Sequence, residues 1–220
     1  MKYFIPESIP RKKRQFLGPL GRFLLALFKW EIVGDFPNHR RMVLIAVPHT
    51  AMRDAWYGLL AVLALDLKIN FFGAKWIFTR LPSLFTISKD LDKLGIPWPL
   101  GWLQSFLLKR LGGIPVYREE NKGLITSVIE TFADMDNFIL AIAIEGGGFS
   151  DKDNPNKFRS GFYYIAKGLE IPYVPIAIDF ANREFRIMEP MFPVSSFEEE
   201  SDKIRELFDG VVGATRTFTK

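Results

Sequence analysis

Six apolar runs, Met42 to Val47, Ile69 to Phe72, Ile114 to Val116, Phe138 to Ile144, Tyr173 to Ile178 and Phe185 to Met188, recur along the chain with longer segments of helical spacing between them. Runs apolar on both faces belong to strands covered on both sides, and the intervening helices supply that cover. The helical segments include Trp56 to Leu67, Leu100 to Leu111, Gly123 to Met135 and Ser160 to Gly168, the last ending on a glycine suited to a helix C-cap. The order predicts an α/β fold, a mixed and largely parallel central sheet flanked by helices. Ser196 stands three residues ahead of Glu199, a capping-box spacing, and Phe197, Ile204, Leu207 and Phe208 fall on one face, so the tail is expected to dock as a purely structural helix. Lys89 to Pro99 reads as a surface insertion, a plain connector or a membrane contact through Trp98 and Trp102.

With 220 residues, 48% of them hydrophobic, the chain has enough apolar material for one core and one domain. That domain divides into a basic and apolar helical segment over 1–38, a catalytic α/β core over 39–194, and a helix and tail over 195–220. The absence of cysteine excludes thiolate nucleophiles, disulfides and sulfur-based zinc sites, and two histidines, His39 and His49, argue against a histidine-rich metal centre. No metal is therefore expected. His39, beside Asn38 and Arg40, reads as a surface loop residue. A net charge of +4 is modest and suits anionic substrates or lipid headgroups.

Much of that excess lies in Arg11-Lys12-Lys13-Arg14, directly before Phe16, Leu17, Leu20, Phe23, Leu24, Leu25, Leu27, Phe28 and Trp30. Gly18-Pro19, Gly21 and Arg22 interrupt the apolar stretch, which falls short of the roughly 20 residues a transmembrane helix needs. No small-residue cleavage site follows. Two compatible readings stand: an amphipathic helix lying at an anionic membrane interface, or one packed on the core. Nucleic-acid binding is set aside, because the basic run is short and lacks interleaved stacking residues.

The chemistry is expected where the first apolar run ends, in Val47-Pro48-His49-Thr50-Ala51-Met52-Arg53-Asp54. An imidazole at a strand exit, held in one tautomer by a nearby carboxylate, makes a general base for a substrate hydroxyl. Three further motifs follow in order: Gly112-Gly113-Ile114-Pro115-Val116-Tyr117-Arg118, then Ala143-Ile144-Glu145-Gly146-Gly147-Gly148, then Ile171-Pro172-Tyr173-Val174-Pro175-Ile176-Ala177. Glu145, closing an apolar strand, is costly to bury unless it serves a function or meets a partner such as an arginine.

This ordered set, over roughly residues 40 to 190, resembles the glycerolipid acyltransferase family, whose best-known members are the bacterial lysophosphatidic acid acyltransferases, the 1-acylglycerol-3-phosphate acyltransferases. The resemblance implies an enzyme of phospholipid biosynthesis that moves an acyl group from acyl-CoA or an acyl-carrier-protein thioester to a lysophospholipid or glycerolipid hydroxyl. Under it, His49 matches the catalytic base of the family's HxxxxD motif and Asp54 its charge partner. Gly113, Ile114, Pro115 and Arg118 match the second motif, whose arginine meets acceptor phosphate. Glu145 and Gly146 match the start of the third motif, with Gly147 at the next position of the site, and Val174-Pro175 match the fourth. Phe72-Gly73-Ala74-Lys75 looks like the family's Phe-x-Gly-Lys-Lys segment, with Lys75 retained. The thioester donor is a co-substrate, and no bound cofactor is expected. The implied setting is peripheral or monotopic, on the cytoplasmic face of a membrane such as a bacterial inner membrane.

Direct attack through a ternary complex suits these residues, because a thioester is already activated and the chain has neither a cysteine nor a Gly-x-Ser-x-Gly elbow. Either a backbone amide near Gly112 to Ile114 or one beyond Glu145 could hold the oxyanion. One departure stands out: the family's third motif reads Glu-Gly-Thr-Arg, whereas Glu145-Gly146 is followed here by Gly147-Gly148. Arg118, Lys75, Lys152, Lys157 or Arg159 could supply the missing charge, or the acceptor could carry another headgroup. A non-catalytic lipid-binding module of the same fold and a thioester or lipid hydrolase are the rival readings.

Overall fold

The computed structural model describes residues 3–49, 51–81, 95–116, 123–145 and 158–219. Its centre is a seven-stranded sheet in the order β1-β9-β8-β2-β7-β3-β6, formed by β1 (Glu31–Val33), β2 (Arg41–Val47), β3 (Asn70–Ala74), β6 (Gly113–Val116), β7 (Phe138–Ala143), β8 (Tyr173–Asp179) and β9 (Glu184–Ile187). From β8 to β6 the strands are all parallel; β9 runs antiparallel to β8, and β1 pairs in parallel with β9. A mixed, largely parallel sheet flanked by helices is thus the observed architecture. Strand β1 was not legible as an apolar run, having only three residues.

Alternate residues of β2 build the two halves of the core. Met42 and Leu44 join Leu25, Leu60 and Ala61 on one face, among side chains from α1 (Leu17–Leu27) and α2 (Met52–Ala64). Val43, Ile45 and Val47 join Val128, Phe132, Phe162, Ile165, Ile204 and Phe208 on the other, from α4 (Leu124–Ala133), α5 (Gly161–Gly168) and α6 (Phe197–Phe208). The remaining helix, α3 (Gly101–Arg110), lies on the α2 face: a Cβ on Gly113 would meet the Phe71 ring and the Leu108 carbonyl, both at 2.9 Å. A two-stranded ribbon of β4 (Arg80–Leu81) and β5 (Ile96–Pro97) precedes α3, so Ile96 and Pro97 of the 89–99 insertion are paired structure.

The glycines that break the N-terminal apolar stretch form the contact face of α1. A Cβ on Gly21 would stand 2.8 Å from the Ala64 amide nitrogen and 3.0 Å from the Leu60 carbonyl, so the α1 and α2 backbones meet with no side chain between them. Pro19, in the first turn, sacrifices no interior helix bond. The large side chains of Phe16, Leu17, Leu20, Phe23 and Leu27 consequently face outward.

Helix α6 begins as its capping pattern predicts, with the Glu199 amide donating to the Ser196 hydroxyl at 3.3 Å. Its buried Glu200 accepts from the Tyr173 hydroxyl, from Lys203 Nζ at 3.1 Å and from the Ser195 amide at 3.3 Å. Burial pushes the Glu200 carboxyl up, but these donors together outweigh it and leave its pKa below the ordinary value. A carboxyl lowered on folding stabilises the native state above its unfolded pKa and loses that contribution as pH falls through the folded one. Urea midpoints of the wild type and Glu200→Gln should therefore differ by a constant amount above about pH 5 and converge below about pH 4. A difference that stays constant down to pH 3, in the range where the wild type remains folded, contradicts this.

Candidate active site

The parallel register brings the exits of β2 and β7 side by side, with Ala46 opposite Ala143. The chain leaves β2 toward the α2 face and passes from β7 to α5 on the opposite face. Adjacent parallel strands whose connections diverge in this way open a crevice at their carboxyl ends, the usual place for a site in an open α/β sheet. His49 lies two residues past β2 and Glu145 two residues past β7.

His49 follows a cis Val47-Pro48 peptide bond. Its side chain is 23% exposed, and Nδ1 stands 3.8 Å from Oδ2 of Asp54, whose side chain is fully buried. That is an electrostatic contact, longer than a hydrogen bond. The same Oδ2 accepts the Ala51 amide at 2.7 Å, and the Asp54 amide donates to the Ala51 carbonyl at 3.1 Å. Asp54 thus occupies the first turn of α2 and satisfies its N-cap amide, with the positive end of the helix favouring its charge. A strand exit followed by a new helix start brings the two groups together.

Glu145 binds at the base of this constellation. Its Oε2 accepts the backbone amide of His49, and its Oε1 accepts Nη2 of Arg216 at 3.0 Å. The partner foreseen for a carboxylate at an apolar strand end is therefore an arginine, from a segment the sequence marked as structural. The tail beyond α6 turns back between Val212 and Thr217, and Phe218 pins it by stacking on Phe158 at 5.8 Å. The same turn receives Arg53, whose guanidinium donates to the Ala214 carbonyl and lies 5.4 Å from the centre of the Phe180 ring. Arg53 and Arg216 thus tie the tail to the two strand exits. Sequence offered only one signal for Arg216, the electrostatic need of Glu145, and 29 lysines and arginines could have answered it.

Lys75 is exposed at the exit of β3, on the same sheet edge and two strands from β2. Gly113, Ile114 and Pro115 lie inside β6, opposite Phe71, Phe72 and Gly73 of β3, and three strands from β2. Packing accounts for Gly113, and an edge strand accommodates the missing amide of Pro115. The Gly112 amide donates to the Lys109 carbonyl at 3.0 Å. Arg118, Gly146, Gly147, Lys152 and Lys157 lie outside the described residues. Arg159 is exposed, and its amide donates to the Ile144 carbonyl at 2.7 Å, so it sits next to Glu145. A cavity of about 660 Å³ lined by Met188, Met191 and Leu207 opens at the other edge of the sheet and shares no residue with this constellation.

No family model matches the sequence, and no curated protein matches it. Among solved structures, the chain is similar to the crystal structure of the 1-acyl-sn-glycerophosphate (LPA) acyltransferase PlsC from Thermotoga maritima, with a TM-score of 0.51 and 16% identity over 87% of this chain and 74% of that one. At that identity the likeness establishes one thing, that this chain has the fold of that acyltransferase.

Proposed function

We propose that the protein is a glycerolipid O-acyltransferase, transferring an acyl group from acyl-CoA or an acyl-carrier-protein thioester to a lysophospholipid or glycerolipid hydroxyl. The observation that carries this reading is the pairing of His49 with a buried aspartate at 3.8 Å on the carboxyl edge of a sheet folded as in an LPA acyltransferase. In this mechanism His49 takes the proton of the acceptor hydroxyl as its oxygen attacks the thioester carbonyl. Asp54 stabilises the imidazolium that forms. Collapse of the tetrahedral intermediate expels the thiolate, which recovers the proton from His49, so the ester and the free thiol leave together. Glu145 fixes the His49 main chain, while Lys75, Arg118 or Arg159 meets an anionic headgroup. Gly113, Ile114 and Pro115 support that edge, and Gly146 and Gly147 are assigned to acceptor binding by their place directly after Glu145 in the sequence.

The reading includes a membrane surface. The outward apolar side chains of α1 follow directly on exposed Arg11, Lys12 and Lys13, the pattern of a helix at an anionic lipid interface. No helix among the described residues is long and apolar enough to cross a bilayer. The basic and apolar pattern supports a reading of peripheral attachment, on the cytoplasmic face of a membrane.

The test is incubation of purified protein and a radiolabelled acyl donor with lysolipids, glycerol-3-phosphate and non-phosphorylated alcohols. Labelled acyl-lipid and a stoichiometric free thiol are expected. Fatty acid released equally fast without acceptor makes the protein a hydrolase, and absence of any turnover leaves a lipid-binding module. Reaction only with acceptors lacking phosphate would account for Gly147-Gly148 standing where Thr-Arg is expected.

A further inference from the structure

Helix α3 carries a second unpartnered apolar face, on the same side of the sheet as α1. Trp102 is 69% exposed and Phe106 57%, and Leu107 is half exposed beside them. In the adjoining ribbon, Leu81 and Ile96 stand opposite each other and are both exposed. At helical spacing, Trp102, Phe106, Lys109 and Arg110 fall along one stripe, which puts two exposed cations at the end of the aromatic face. The two tryptophans of this region differ sharply. Trp98 donates to Gln104 Oε1 at 2.6 Å, and Gln104 donates to the carbonyls of Ile77 at 2.6 Å and Arg80 at 2.9 Å. Those bonds fasten α3 to the segment 77–80 that leads into the ribbon, and Trp102 is left presented to the outside.

An apolar outcrop of this size, rigidly mounted and edged with cations, matches a surface that is apolar inside and anionic at its rim. We propose that α3 and the β4–β5 ribbon form a second contact with an anionic phospholipid bilayer, with Trp102 and Phe106 at headgroup depth and Lys109 and Arg110 on lipid phosphates. The proposal rests on the membrane reading of α1 and extends it. Two contacts on one face of the sheet fix the tilt of the protein on the bilayer, which one helix cannot do. The acceptor then reaches the carboxyl edge of the sheet at a set height above the lipid.

Vesicle flotation tests this without an acyl donor, so its outcome is independent of whether transfer occurs. The full chain should bind vesicles of phosphatidylcholine with phosphatidylglycerol far better than phosphatidylcholine alone. Trp102→Glu with Phe106→Glu should weaken that binding at least about tenfold with helical content unchanged. Lys109→Ala with Arg110→Ala should weaken it about thirtyfold at low salt and much less at high salt. Brominated lipids should quench wild-type fluorescence more than that of Trp102→Phe, a variant that keeps the apolar surface. Wild-type binding by the glutamate pair, or equal quenching in the wild type and Trp102→Phe, overturns the proposal. So does a wild-type dimer that the glutamate pair converts to monomers, since the face would then belong to a second copy of the chain.

Discussion

His49→Ala should lower kcat for acyl transfer by about a hundred- to ten-thousand-fold, the usual contribution of a positioned general base. The substitution removes the imidazole and keeps the backbone amide that Glu145 accepts, so the strand exit is retained and the loss reports on the side chain. KM should change little. Asp54→Asn should cost less in rate and something in stability, because the Asp54 carboxylate serves both the imidazole, at 3.8 Å, and the α2 N-cap amide, at 2.7 Å. Loss of a helix cap is worth about 1 kcal/mol, so the melting temperature separates the two roles. The measurement is transfer of a radiolabelled acyl group to the best acceptor, beside thermal unfolding of each variant. A His49→Ala protein that melts like the wild type and retains a rate within about threefold of it removes His49 from the chemistry.

Five of the six runs are strands of the parallel part of the sheet, which read as continuous apolar runs, and the sixth is antiparallel β9; all six appear, with ends displaced by a residue or two. Glu31–Val33 escaped because three residues carry no period, and its partner, Glu184–Ile187, is some 150 positions away. The N-terminal glycines were read as interruptions because a sequence does not say which side of a helix meets a neighbour. In the structure Gly18 and Gly21 are that side. At the site, His49 and Asp54 could be paired because their proximity is local. Arg216 could not: its bond to Glu145 spans 71 positions, and the turn that delivers it depends on Phe218 stacking over Phe158. Long-range electrostatic partners are set by the tertiary fold, and a sequence reveals only the demand for one.

That demand sets the second large effect. Arg216→Ala leaves Glu145, its side chain 1% exposed, with an uncompensated charge. Breaking a buried pair costs about 3–5 kcal/mol, and because the Arg216 side chain is 28% exposed and water can enter in its place, a loss of about 2 kcal/mol is expected. Activity should fall with it, mostly in kcat, because the carboxylate that loses its cation also holds the His49 amide. Arg216→Lys should restore more stability than activity, since an ammonium supplies charge without the planar fork. Glu145→Gln removes the demand itself, so Arg216→Ala made in that background should cost well under 1 kcal/mol, a coupling that urea unfolding of the four proteins measures. If the two substitutions add to within about 0.5 kcal/mol, the pair is an incidental contact, and the hold of the tail on the strand exits depends on Arg53 and Phe218.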